Sequence, residues 1–206
     1  KSRIRSLIFI CKKEFEMNTL ILLIDFIGHQ VLSENYINNR RYQEVQKILS
    51  DPRIDKSKIV FCTTDSSRVD VRLNELEFMA SNLDIKFFKY EDDWTFDMLS
   101  DKLAESFDFD MNPNNTQIII GGCNLAGCVT KATKPMNAIA ACEAGYPTTI
   151  YLPMCAEYEQ PGINDVERMM MGLVEVYKQI KKYRAFKITL ENDFRYLNLP
   201  RTHGTL

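Results

Sequence analysis

Three short runs, Thr19 to Ile24 (TLILLI), Ile59 to Thr63 (IVFCT) and Gln117 to Ile120 (QIII), are apolar at nearly every position rather than at every second one. A strand of that kind must be covered on both faces, which is the condition of a parallel sheet between layers of helix. Three weaker runs, Ile85 to Phe88, Thr148 to Leu152 and Phe186 to Leu190, bring the number of predicted strands to six. Between them lie helical stripes. Tyr42, Val45, Ile48 and Leu49 share one face and end at Asp51-Pro52; Val69, Leu73, Leu76, Ala80 and Leu83 form a second stripe. An acidic start at Asp92 and Asp93 opens a third, through Phe96, Leu99, Leu103 and Phe107. The region from Cys128 to Ala144, closed by Gly145, reads as a fourth, and Val166, Met169, Met170, Leu173, Val176, Tyr177 and Ile180 as a fifth. The alternation predicts an α/β chain: a three-layer α/β/α, Rossmann-like fold with a mainly parallel six-stranded sheet.

A chain of 206 residues suits one core. Met17 stands just before the first strand, so residues 1–16 are expected to be an N-terminal extension, 17–190 the domain and 191–206 a C-terminal tail. The apolar run Leu7 to Cys11 is too short to span a bilayer. A net charge of −2 with both signs interspersed predicts neither a nucleic-acid nor a membrane partner. Six cysteines without a CxxC pair read as reduced thiols of a cytoplasmic protein. With only two histidines, a zinc site would need cysteines at ligand spacing, which are missing; no metal and no cofactor is expected.

The candidate chemistry sits after strands. Asp25 follows TLILLI, Lys89 follows Ile85 to Phe88, and Cys128 lies beyond Gln117 to Ile120 in QIIIGGCNLAGCV. Gly121 and Gly122 are expected to end that strand in a sharp turn, with a helix soon after, which would put Cys128 beside backbone N–H groups that favour a thiolate. In an open α/β sheet, ligands bind at the carboxyl ends of strands. Were the strands neighbours, about 5 Å apart per step, Lys89 would lower the thiol pKa and Asp25 would take its proton for delivery to a leaving group. Blander readings stand beside these. Asp25 also suits an Asx turn, Cys128 also suits a small core residue, and Trp94 fits either a pocket wall or the core.

The set LLID (Leu22 to Asp25), FFK (Phe87 to Lys89) and GCNLAGCV (Gly122 to Val129) resembles the isochorismatase-like cysteine hydrolase superfamily, which includes nicotinamidases. The resemblance runs in order over roughly residues 19–190. It implies a small-molecule amide substrate whose C–N bond is cleaved through a thioester, with Asp25 as general base and acid, Lys89 as the cation and Cys128 as the nucleophile. It further implies a cis Cys123-Asn124 peptide, an oxyanion hole at the Asn124 and Cys128 amides, and a homo-oligomer. Phe26, Asp65 and Trp94 are the candidates for the pocket, shaped by the 26–39 and 155–164 loops.

Departures from the family pattern are plain. Phe26-Ile27-Gly28-His29 replaces the usual Gln and aromatic, and Ser66 to Arg68 supply no histidine beside Asp65 for a nicotinamidase metal. Pro135 interrupts a lengthened segment after Cys128, so a helix either starts at Gly127 and kinks, or starts later with Thr133 as its cap. The alternative function is a catalytically inactive binding protein on the same scaffold. A nucleotide-binding loop at Gly121, Gly122 and Gly127 is disfavoured, because the spacing is not GxGxxG.

Overall fold

A computed structural model describes residues 17–25, 40–52, 54–55, 58–64, 77–91, 93–107, 111–131, 136–157, 161–193, 195 and 197. Within them the order is β1 (Asn18–Ile24), α1 (Arg40–Leu49), β2 (Ile59–Thr64), a helical segment α2 at 77–82, β3 (Lys86–Tyr90), α3 (Phe96–Phe107), β4 (Thr116–Cys123), α4 (Ala138–Glu143), β5 (Thr148–Ala156), α5 (Asp165–Lys182) and β6 (Ile188–Glu191). The strands form one sheet in the order β3-β2-β1-β4-β5-β6, every neighbouring pair parallel.

The continuous apolar runs have the coverage they require. On one face Leu20, Leu22, Ile24, Val60, Cys62, Ile118 and Ile120 pack with Phe96, Leu99 and Leu103 of α3, Ala138, Ile139 and Ala141 of α4, and Val176 and Ile180 of α5. On the other, Ile21, Leu23, Ile59, Phe61, Ile119 and Tyr151 pack with Tyr42, Val45 and Ile48 of α1 and Met79 and Ala80 of α2. Three layers result: α1 and α2, the sheet, then α3, α4 and α5. Side chains alternate across a strand, so adjacent residues of β1 belong to different cores. No described helix is long and apolar enough to cross a membrane.

Several boundaries differ from the sequence reading. β4 does not end at Ile120 but runs to Cys123, so Gly121 and Gly122 are strand residues rather than a turn. A Cβ on Gly121 would sit 2.5 Å from the Met154 Cβ, and one on Gly122, where φ is +146°, would fall on the Ile24 carbonyl. These glycines allow β1 and β5 to close on β4. β5 continues through Pro153 to Ala156; its register with β4 passes from Ile120↔Ile150 to Gly122↔Cys155, so an irregularity absorbs the proline. β3 includes Lys89 and ends one residue later. α3 begins only at Phe96, where Thr95 Oγ1 accepts from the Met98 N–H at 3.2 Å, leaving Asp93 and Trp94 ahead of the helix. Of the helix expected from Cys128 to Ala144, the described residues hold the six of α4, capped by Asn137, whose side chain accepts from the Ala140 N–H at 2.8 Å. Thr133 and Pro135 lie outside the described residues.

Candidate active site

The strand order reverses direction between β1 and β4: the chain builds outward through β2 and β3 on one side, then through β5 and β6 on the other. At such a point the two connections diverge and leave a crevice at the carboxyl ends. Asp25 follows β1 there, and the Asn124 to Lys131 loop leaves β4 beside it, with Ile24 paired to Gly122.

Asp25 is held from the β2 side. Its backbone N–H donates to the Cys62 carbonyl at 2.9 Å, extending the β1-β2 ladder by one bond, and the buried Thr63 hydroxyl donates to Asp25 Oδ1 at 2.8 Å. The residue has φ +43°, in the left-handed region that Asp tolerates better than most side chains. The carboxylate is half-buried and carries enough field to act on its neighbour. Burial pushes the Cys62 thiol well above its ordinary value, and the Asp25 charge adds to the effect.

Lys89 pairs in register with Thr63 and lies two strands from β1, about 10 Å across the sheet edge. Its side chain is exposed, and the ion pairs among the described residues include none between Lys89 and Asp25. By register Lys89 is on the α1 face of β3 with Phe87. The neighbouring Phe88 and Tyr90 face the opposite core.

Cys128 belongs to a run of turns at 125–130, ten residues ahead of α4, so among the described residues it does not stand at a helix start. The loop has another organisation. The Cys123-Asn124 peptide is cis. The Asn124 carbonyl accepts from Gly127 N–H at 3.0 Å and Val129 N–H at 3.1 Å, and the Gly127 carbonyl accepts from Thr130 N–H and Lys131 N–H. The Thr130 hydroxyl donates to the Leu125 carbonyl at 2.7 Å, and the Val129 carbonyl receives the Ala138 N–H, joining the loop to the start of α4. Gly127 fits closely where it is: a Cβ there would lie 3.2 Å from Asn124 Cβ and Nδ2. Leu125 and Val129 are buried, while Cys128 between them is half-buried against the same core.

Residues that sequence reasoning passed over hold this loop from β5. Leu125 N–H donates to the Ala156 carbonyl at 2.8 Å, and Ala126 N–H donates to Glu157 Oε1 at 2.5 Å. Glu157 in turn lies against α5, where a Cβ on Gly172 would stand 2.5 Å from the same oxygen. Thr63 and Glu157 thus position the acid and the thiol loop. A hydroxyl one residue short of a strand end and a carboxylate just past one are the signals available for them in the sequence.

Trp94 packs partly buried against the α3-side core, its ring tilted 6.1 Å from Phe88. Phe26, Asp65, His29 and the 26–39 loop lie outside the described residues. Among the described residues no cluster of three His, Cys, Asp or Glu side chains is arranged to hold a metal ion.

No family model matches the chain, and no curated protein sequence matches it. A crystal structure of yeast nicotinamidase bound to the inhibitor nicotinaldehyde superposes with a TM-score of 0.48 at 15% identity, covering 85% of this chain and 100% of that one.

Proposed function

We propose that the chain is a cysteine hydrolase that opens the C–N bond of a small amide. The observation that carries the reading is the placement of Asp25 and the Cys128 loop on adjacent strand tips at the reversal of strand order, each fixed by its own hydrogen bonds. In the proposed reaction Asp25 takes the Cys128 proton as sulfur attacks the carbonyl carbon. The C–N bond then breaks, the nitrogen leaves with that proton, and water cleaves the thioester to return the thiol. The backbone N–H groups of Asn124 and Cys128 would receive the developing oxyanion. Lys89 is assigned an electrostatic role from its position on the same edge.

Release of ammonia or amine from a panel of small amides, together with an acyl adduct on Cys128 in intact mass, tests the proposal. Cys128→Ala is expected to lower turnover by at least about 1000-fold while the melting curve stays in place. Turnover at the wild-type rate in that variant would remove Cys128 as nucleophile.

The exposed ammonium of Lys89, which forms no ion pair among the described residues, favours a second reading, in which the same crevice binds a small carbonyl compound without cleaving it. Saturable binding with no adduct and no released amine would select that reading.

A further inference from the structure

Helix α5 turns Gly172, Val176 and Ile180 into the core, yet its outward face is not the polar surface that an amphipathic helix normally offers to water. Val166 is 72% exposed, Met170 58%, Met171 55%, Val174 54% and Tyr177 67%. Val166, Met170, Val174 and Tyr177 follow one another at steps of four, four and three residues, so they form a single line down the helix. The patch is on the order of 500 Å², near the upper end of what a monomer leaves in water. It is more than half of the roughly 800 Å² that one partner gives to a stable interface.

We propose that this face is where two copies of the chain pack, with their α5 helices antiparallel about a two-fold axis level with Gly172. The charges on the same side of the helix select that occupant. Glu167 stands near the start, and Lys178, Lys181 and Lys182 stand at the end. An antiparallel pair lays Glu167 of each copy near Lys178 of the other, twice by symmetry, and opposes the two helix dipoles. Under the same axis Met170 of one copy meets Val174 of the other, so the apolar line closes on itself. A parallel pair would set lysine against lysine. Within one chain Lys178 reaches Glu175 at 3.3 Å and Glu167 accepts the Asn164 N–H at 3.3 Å; both contacts are exposed and leave charge available to a second copy.

Sedimentation velocity on the full chain at concentrations up to about 100 µM is expected to show a dimer. Met170→Lys with Val174→Lys should raise the dissociation constant at least about 100-fold with an unchanged melting temperature. Lys178→Glu should raise it about tenfold, and adding Glu167→Lys to that variant should restore it to within about threefold, because the swapped charges again attract across the axis. A wild-type chain that stays monomeric overturns the proposal. So does a dimer indifferent to the Met170 and Val174 changes, or a charge swap that fails to restore. A Cys128→Ala chain should dimerise as the wild type does, which keeps this result separate from the hydrolase reading.

Discussion

The tip of β2 and the loop after β4 flank the end of β1 and each carries a cysteine, and the fold treats the two thiols in opposite ways. Cys62 is sealed under the sheet edge with no exposed surface, and its Sγ–H points at the Val60 carbonyl 3.6 Å away. Both its burial and the Asp25 charge keep it a thiol. Cys128 shares that core but stays half-buried, in a loop held by the Asn124 and Gly127 carbonyls and by Glu157. Proximity to Asp25 does not by itself make a reactive thiol. What separates the two is a strand position, whose side chain is committed to the core, against a loop position fixed by its backbone bonds.

The sharpest way to break this comparison is alkylation. Iodoacetamide at neutral pH, followed by peptide mass spectrometry, is expected to label Cys128 at least about 100-fold faster than Cys62, because a buried thiol reacts only when the structure opens around it. Equal rates at the two positions would mean that the loop offers no more access than the strand.

Next in size is Gly122→Ala. The added Cβ would meet backbone of β1 at Ile24, which cannot swing aside as a side chain can, at a φ that L residues rarely adopt. Denaturant unfolding should show a loss of about 3 kcal/mol or more. A loss below about 1 kcal/mol would mean that β1 and β4 are not so tightly apposed beside Asp25.

Much of this architecture could be read before any coordinates, because an apolar run such as TLILLI admits few arrangements other than a strand covered on both faces. Most of the failures depended on a neighbour distant in sequence. Gly121-Gly122 reads as a turn until Met154 and Ile24 are known to press on it. Pro153 argues against a strand until the irregular β4-β5 register is seen to accommodate it. The segment after Cys128 has helical composition, but within the loop itself the Asn124 and Gly127 carbonyls draw its first amides into turns, and Asn137 caps the described helix that follows. Glu157 lies 31 residues from the amide it holds, a pairing that no local pattern announces.

The smallest effect concerns pH, and it tests the buried half of the comparison. The Cys62 thiol is raised in the folded chain, first by burial and second by Asp25, so the native state keeps its proton where the unfolded chain gives it up. A group raised in this way contributes stability that is fully present below the unfolded thiol value, near 8.5, and is lost as pH rises through and beyond it. Above about pH 9 the wild type should therefore lose stability faster than Cys62→Ala, by up to about 1.4 kcal/mol per pH unit. Reading the difference between the two chains cancels the tyrosines and lysines that titrate in the same range. Parallel curves for the two would show that Cys62 is open to solvent, and the contrast with Cys128 would then reduce to loop against strand, with no difference in burial behind it.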